Sequence, residues 1–306
     1  MEFVEYSKPA LTIEEQVDQL LDRGMVGTRD SMVRRLSVVS YYRLSGYWFH
    51  RKLSDDSFEP GTSFDVAWKQ YMFDRKLRLL LMDAIERLEV GLRVQFCNHH
   101  ALQHGPFGYA TDSRSTPQLG AEQRLKLIAQ IDREAQRSRE LFVRHFRDKY
   151  GTSHRHLPLW MAIETMSLSC VIRLWQASSD SVKGPVAAAF GVSEKVLESW
   201  LWTLNEARNV CAHHGRLWNR EFGIKPKIPR RYHHPEWHTP EPVPNHRVYA
   251  VLTISAYSLS RLAPNSTWQV RLRQLVEAFP DIPTKNMGFP DAWLSSPIWK
   301  GARDMR

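Results

Sequence analysis

The sequence predicts an all-α fold, and three features of the chain support this prediction. Apolar residues recur at helical spacing almost throughout the 306 residues, as in "IEEQVDQLLDRG" and "FDVAWKQYMFDRKLRLLLMDAIERLEV". No stretch alternates apolar and polar side chains over the length of a strand. Hydrophobic residues make up 42% of the chain and include 11 Trp, which is enough apolar surface for a sizeable core.

The first helices are predicted before residue 63. Thr12 and Glu15 form a capping-box pattern, and Gly24 stands where that first helix is expected to end. A short helix is predicted near 29–38, and it leads into the aromatic segment "SYYRLSGYWFHR". Ser63 then stands in the position of an N-cap for a long helix.

Acid-then-base pairs four residues apart recur along this long helix. Such pairs stabilise a helix surface by tenths of a kcal/mol, roughly 0.2–0.5 each, so we interpret them as surface support. They are Asp74/Arg78, Asp83/Arg87 and Glu89/Arg93.

Three further segments follow in order. Residues 105–120 are rich in Gly, Pro, Ser and Thr and predict a loop, and a charged helix is expected at roughly 121–149. The segment "LPLWMAIETMSLSCVIRLWQ" begins with Pro near its first turn and is apolar around most of its circumference, which predicts a core helix.

The last third of the chain contains the helix that ends in "RNVCAHHGRLWNR" (208–220), which Ser193 is placed to cap. Residues 225–245 then hold six Pro and four Lys or Arg, so regular structure is excluded over most of that length. Two more helices are predicted near 246–262 and 267–279.

Charge and cysteine usage narrow the class of protein. Lys and Arg number 42 against 33 Asp and Glu, giving a net charge of +9, which favours a polyanionic partner, with nucleic acid ahead of a membrane surface. The alternative is a basic protein without such a partner.

Cys97, Cys170 and Cys211 are too few and too scattered for a disulfide framework and fit a reducing cytoplasm. The N-terminus lacks the apolar region of a signal peptide, and the uncharged stretch 248–260 is too short to cross a bilayer, so no membrane association is expected.

Helical geometry separates the two adjacent histidines of "RNVCAHHGRLWNR". At about 100° per residue, the helix has one polar face, which consists of Asn205, Arg208, Asn209 and His213. The opposite face consists of Trp200, Leu204, Ala207, Cys211 and His214. We therefore predict that His214 and Cys211 are structural and point into the core, whereas His213 is the reactive candidate.

The polar face carries the minimum chemistry for cleaving RNA without a metal. Arg208 offers a planar, permanently charged fork for phosphate oxygens. A histidine such as His213 can give or take a proton near neutral pH. One histidine does not readily serve as both base and acid, so we expect a homodimer that brings two such faces together.

Several segments of the chain resemble the Abi-like family of bacterial abortive-infection proteins (the AbiD/AbiF group), a branch of the HEPN ribonuclease superfamily. They are "SYYRLSGYW" (40–48), "FDRKLRLLLMDAIERLEVGLR" (73–93), "LPLWMAIETMSLS" (157–169) and "WLWTLNEARNVCAHHGRLWNR" (200–220). The resemblance covers most of residues 12–262 in the expected order.

This resemblance implies a fold and a function. The fold would be a HEPN-like helical bundle with additional N- and C-terminal helices, divided into an N-terminal segment (1–62) packed on an Abi domain (63–306) with a basic Pro-rich loop at 223–245. The activity would be that of a dimeric, metal-independent endoribonuclease without a cofactor. The family signature, an Arg, a polar residue, spacers and a His, falls on Arg208, Asn209 and His213. The role would be that of a toxin that halts growth of a phage-infected cell, sometimes under the control of a regulatory or antitoxin RNA.

Residues that would bind the RNA substrate lie on the polar face and beyond it. The candidates are Asn205, Arg216, Lys225, Lys227, Arg230 and Arg231, with Tyr232, His233 and His234 available for stacking. A solvated loop is the alternative for residues 225–234. Arg43 and Arg51 of the aromatic segment would be further phosphate contacts, although core packing is the favoured interpretation of that segment.

Two other functional classes stay open at this point. "CNHH" (97–100) and "CAHH" (211–214) suggest a zinc site built from Cys97, His100, Cys211 and His214. A non-catalytic RNA-binding protein would explain the basic loop equally well. A purely structural interaction protein would leave the polar face unexplained.

Overall fold

The computed structural model describes residues 5–302, and it confirms the all-α fold, since these residues contain thirteen α-helices and no β-strand. The helices are α1 (Ile13–Asp22), α2 (Arg29–Leu36), α3 (Tyr41–Ser45), α4 (Phe64–His104), α5 (Gly108–Thr111), α6 (Ala121–Arg137), α7 (Leu141–Tyr150), α8 (Leu159–Thr165), α9 (Leu168–Ala177), α10 (Asp180–Ala189), α11 (Glu194–Ala212), α12 (Val248–Leu262) and α13 (Trp268–Glu277). Short 3₁₀ turns connect several of them. No helix in this part of the chain is long and apolar enough to span a bilayer.

The chain forms two compact units. One contains the described residues up to Lys76 together with Phe279–Ile282, and the other contains Leu77–Ala278 and the described residues from Pro283 onward. Helix α4 begins in the first unit and continues in the second. The division at residue 62 stays a prediction, because compactness within one chain does not measure independent folding. Residues 1–4 and 303–306, at the two ends of the predicted segments, lie outside the described residues.

The first unit contains the predicted capping box. The Thr12 backbone N–H donates to Glu15 at 2.7 Å, and the Glu15 N–H donates to the Thr12 hydroxyl at 3.2 Å. The aromatic segment contributes to the core, as expected, because Tyr47 and Trp48 are 3% and 2% exposed. The Tyr47 hydroxyl also donates to the carboxylate of Asp74 at 2.5 Å. Asp74 is buried, so the prediction that it lies at the helix surface was wrong.

The core of the second unit lies where α11 packs against α9, α10 and α12. Helix α12 is buried from Val248 through Leu259, so it is central to the unit. Helix α11 buries one face, which consists of Leu197, Trp200, Leu201, Thr203, Leu204, Ala207 and Cys211. Each large apolar side chain buried in this way stabilises the fold by roughly 1.5–3 kcal/mol.

The predicted core helix over "LPLWMAIETMSLSCVIRLWQ" is instead two helices, α8 and α9, which Met166 and Ser167 separate. Side chains from other helices satisfy the backbone groups that this break frees. Arg93 donates to the Met166 carbonyl at 2.9 Å, and Glu134 accepts from the Ser167 N–H at 2.6 Å. Arg93 is only 8% exposed, so the prediction that it lies at the helix surface was wrong.

Three smaller differences from the sequence prediction have local causes. The predicted charged helix is divided by Ser138, whose extended backbone (φ −67°, ψ 133°) separates α6 from α7. The predicted loop at 105–120 contains the single-turn helix α5. Helix α10, which carries Pro185 in its interior, was not predicted.

His100 of α4 is a buried histidine that the structure makes sensitive to acid. Its side chain is fully buried, and neither ring nitrogen has a hydrogen-bond partner among the described residues. Burial, together with repulsion from neighbouring His104, lowers the pKa of His100 from 6.5 to about 4, with Asp112 opposing the shift. His100 is therefore neutral in the folded protein at pH values where it is protonated in the unfolded chain.

We expect this difference to destabilise the protein as the pH falls from 6.5 towards 4. The unfolded chain binds the extra proton in that window. Between pH 7 and pH 4, the free energy of unfolding of the wild-type protein should therefore fall by about 3 kcal/mol more than that of a His100→Leu variant. Urea denaturation of both proteins at the two pH values measures this difference. Equal losses in the two proteins would contradict it.

Candidate functional site

Helix α11 ends before the two histidines. His213 caps the helix, and the chain then turns through a left-handed residue, His214, with φ +56°. The His214 N–H donates to the Cys211 carbonyl at 3.0 Å, and the Gly215 N–H donates to the Val210 carbonyl at 2.8 Å. This bond pair is a Schellman motif, and the left-handed position costs a non-glycine residue about 1 kcal/mol.

The position of His214 corrects the sequence prediction. His214 is exposed and does not point into the core, because the helical geometry assumed by that prediction stops at Ala212. Cys211 is 5% exposed and is buried as predicted. The assignment of His214 as a structural rather than a catalytic residue stays a prediction.

The predicted polar face of α11 is accessible in the structure. Asn205 and Arg208 are half-buried, and Asn209 and His213 are exposed. Within residues 5–302, none of these four side chains has a hydrogen-bond or ion-pair partner. The guanidinium of Arg208 and the imidazole of His213 are therefore both available to an anion, and phosphate is the anion whose geometry Arg matches best.

Arg78 of α4 supports the turn that follows α11. Its side chain is 6% exposed, and its Nη1 donates to the Gly215 carbonyl at 3.3 Å. A cation at the carboxyl end of a helix is stabilised by the helix dipole. Arg78 was predicted at the helix surface, so this role was not predicted. Its position within the apolar run "LRLLL" was the available signal.

The segment after the motif is held against α11 by side chains of the helix. Glu206 accepts the N–H groups of Gly223 and Ile224, each at 3.1 Å. The Thr203 hydroxyl donates to the Ile224 carbonyl at 3.1 Å. The beginning of the predicted basic loop therefore has a fixed path.

Two further hydrogen bonds hold the same segment. They involve residues of α11 that lie about one turn or more closer to the start of the helix. The Lys227 N–H donates to the Ser199 hydroxyl at 2.9 Å, and the Trp200 indole N–H donates to the Lys227 carbonyl at 2.8 Å. Residues 223–227 thus run antiparallel to the helix, away from His213.

The basic side chains of this loop form a region separate from the polar face. Lys225, Lys227, Arg230 and Arg231 are all exposed and have no ion-pair partner in the described part of the chain. Ser199, which holds Lys227, precedes His213 by 14 residues, or about 20 Å of helix. Lys227 therefore does not reach the same anion as His213. Arg216 is exposed and follows the Schellman turn directly.

The zinc hypothesis is not supported by this geometry. Among residues 5–302, no group of three or more His, Cys, Asp or Glu side chains is placed to hold a metal ion. Cys97, His100, Cys211 and His214 therefore do not form the zinc site that their spacing suggested as an alternative. His100 instead contacts the rings of Phe96 and His104, with ring centroids 5.3 and 5.0 Å away.

Comparison with known families gives one match. Residues 34–219 match the family described as Abi-like protein, and this range covers more than half of the chain. It begins in α2 and ends beyond the Schellman turn, so it includes Arg208, Asn209 and His213. No curated protein and no solved structure matches the chain.

Proposed function

Because the chain belongs to the Abi-like protein family, we propose that it is a metal-independent endoribonuclease of the HEPN type that acts as a toxin in abortive infection. Family membership points to the abortive-infection role. The observation that carries the catalytic part is the polar face of α11, where Arg208 and His213 have no partner within the described residues.

The proposed reaction uses the 2′-hydroxyl of the RNA as its nucleophile. His213 takes the 2′-hydroxyl proton, the 2′-oxygen attacks the adjacent phosphorus, and the bond from phosphorus to the 5′-oxygen breaks. A general acid gives a proton to the leaving 5′-oxygen. The products are a 2′,3′-cyclic phosphate and a 5′-hydroxyl. Arg208 stabilises the negative charge that develops on the phosphate oxygens, and Asn209 positions the phosphate or the His213 ring.

A second copy of the chain would supply the general acid. One imidazole that has just accepted a proton on one side of the phosphate is poorly placed to donate on the other side. We propose a two-fold homodimer in which the His213 of each copy takes one of the two proton roles, since two-fold dimers are the commonest assembly. A stable monomer that still cleaves RNA would contradict this arrangement.

The RNA substrate would extend from the polar face along α11 to the basic loop. Asn205 and Arg216 lie close in sequence to the catalytic residues, and Lys225, Lys227, Arg230 and Arg231 offer exposed cations to phosphates further along the strand. A regulatory or antitoxin RNA could occupy the same cations. The protein would act in the cytoplasm, where its RNA substrate is found.

The alternative is a non-catalytic RNA-binding protein, and the fixed path of residues 223–227 favours binding in either case. The two functions differ in one respect. Both functions predict that RNA binding survives loss of His213. Only the endoribonuclease predicts RNA cleavage, and this cleavage should depend on His213.

We expect purified protein to cleave single-stranded RNA in EDTA, because no step of the proposed reaction requires a metal. The fragments should carry 2′,3′-cyclic phosphate or 3′-phosphate ends, which enzymatic end-labelling identifies. Activity that disappears with the chelator and returns with magnesium or zinc would contradict the mechanism, and so would fragments with 3′-hydroxyl ends.

A further inference from the structure

The outer side of α11 and the segment after the motif enclose a shallow concavity of about 440 Å³. It is lined by Lys195, Glu198, Ser199, Trp202, Ile224 and Lys227. Trp202 is half-buried, unlike its neighbour Trp200, which is fully buried in the core. Part of a large aromatic side chain is therefore accessible at this position.

Trp202 lies on the same side of α11 as the polar face. It precedes Asn209 by seven residues, which is two helical turns or about 10 Å, and it precedes Asn205 by three. Lys195 is a further two turns towards the start of the helix. One stripe of the helix thus joins the concavity to Asn209.

The opposite wall of the concavity is held in place before any ligand binds. The backbone of Ile224 is bonded to Glu206 and Thr203, and the backbone of Lys227 is bonded to Ser199 and Trp200. The Ile224 side chain is 42% exposed beside the aromatic ring. Rigid walls lower the entropic cost of binding.

The charges at the rim favour an anionic ligand. Lys195 and Lys227 are exposed and have no ion-pair partner within residues 5–302. The one acid, Glu198, accepts a hydrogen bond from the Gln176 amide at 2.8 Å, which directs its carboxylate towards α9. An accessible aromatic surface in a concavity that also contains two unpaired ammonium groups fits a base stacked on the ring with its neighbouring phosphates on the lysines.

We propose that this concavity is a subsite for single-stranded RNA, in which one base stacks on Trp202 and the flanking phosphates contact Lys195 and Lys227. The base would belong to a nucleotide a few positions from the phosphate at Arg208 and His213. Duplex RNA does not offer such a base face, because its bases are stacked on one another. This inference rests on the proposed function, since it takes RNA as the ligand.

The test is binding of a labelled, mixed-sequence 12-nucleotide RNA, measured by fluorescence anisotropy in EDTA with full-length protein carrying His213→Ala to prevent cleavage. Adding Trp202→Ala should weaken binding about 5- to 150-fold, the range for loss of one stacked base. Trp202→Phe should stay within a few-fold of the parent. The matched control is Trp160→Ala, which removes a tryptophan that is 51% exposed on α8, and it should have no effect.

A ribose-phosphate oligomer of the same length without bases separates stacking from charge. On that oligomer Trp202→Ala should bind as tightly as the parent. Ile224→Glu, which changes a side chain that is 42% exposed, should also weaken RNA binding by placing a carboxylate in the concavity, and it decides the question if Trp202→Ala does not fold. Unchanged RNA binding by Trp202→Ala and Ile224→Glu, or equal weakening on both oligomers, would overturn the proposal. A protein that binds RNA in this way and never cleaves it would contradict the proposed function alone.

Discussion

The His213→Ala variant is expected to cleave RNA about 10²- to 10⁴-fold more slowly than wild type, because that is the usual cost of losing a positioned proton donor or acceptor. His213 caps α11 and is exposed, so its removal should leave the fold intact. Single-turnover cleavage of a labelled RNA measures the loss, and a thermal melt of the same samples confirms that the variant is folded.

Arg208→Ala should cause a loss of similar size, and the double variant should be little worse than either single one. Residues that act as one catalytic unit are strongly non-additive. Asn209→Ala should fall between these variants and wild type, since it only positions the phosphate or the His213 ring. Losses that simply multiply in the double variant would mean that Arg208 and His213 act independently.

The neighbouring histidine is the matched control for this experiment. His214→Ala removes an exposed imidazole one residue away, at a position that the Schellman turn directs differently from His213. We expect this variant to retain most of the activity. Abolished cleavage in a folded His214→Ala protein, with cleavage intact in His213→Ala, would reverse the assignment of the two histidines.

The Trp200→Ala variant is expected to lose about 3–5 kcal/mol of unfolding free energy, the usual cost of truncating a large buried aromatic side chain. Trp200 is fully buried and packs against Trp237 and Tyr257, with ring centroids 5.0 and 5.8 Å away. Its indole N–H also donates to the Lys227 carbonyl, so the variant should release the basic loop as well as open a cavity.

Trp200→Phe separates the contribution of the aromatic packing from that of the hydrogen bond to the Lys227 carbonyl. It keeps most of the aromatic packing and removes the bond to Lys227, which should cost about 1 kcal/mol for the lost bond. Urea denaturation measures both variants, and trypsin cleavage after Lys227 reports release of the loop. Trp160→Ala, at an exposed position, should change stability by no more than about 0.5 kcal/mol. If Trp200→Ala lowered the unfolding free energy by as little as Trp160→Ala, the claim that Trp200 is a major stabilising residue of the core would be contradicted.

Local sequence patterns were sufficient for the faces of α11 but not for its end. Periodicity assigned Trp200, Leu204, Ala207 and Cys211 to the core, and all four are buried. It failed for His214 because a helical projection has meaning only while the helix continues, and nothing in "CAHHG" apart from Gly215 marks the end at Ala212.

Contacts between distant residues account for the remaining misses. The break between α8 and α9 depends on Arg93 and Glu134, which are far from Met166 in sequence. The path of residues 223–227 likewise depends on Glu206 and Ser199 of α11. Composition correctly excluded regular structure from most of the Pro-rich loop, but it does not encode which helix the loop contacts. The Trp202 concavity could not be predicted for the same reason.

The central claim, that the polar face of α11 cleaves RNA, is tested most directly by sequencing RNA ends in cells that express wild-type protein or the His213→Ala variant at equal levels. Capture of 2′,3′-cyclic phosphate ends should yield new fragments in wild-type cells and none of them in the variant cells. Identical end profiles in the two populations would contradict the claim.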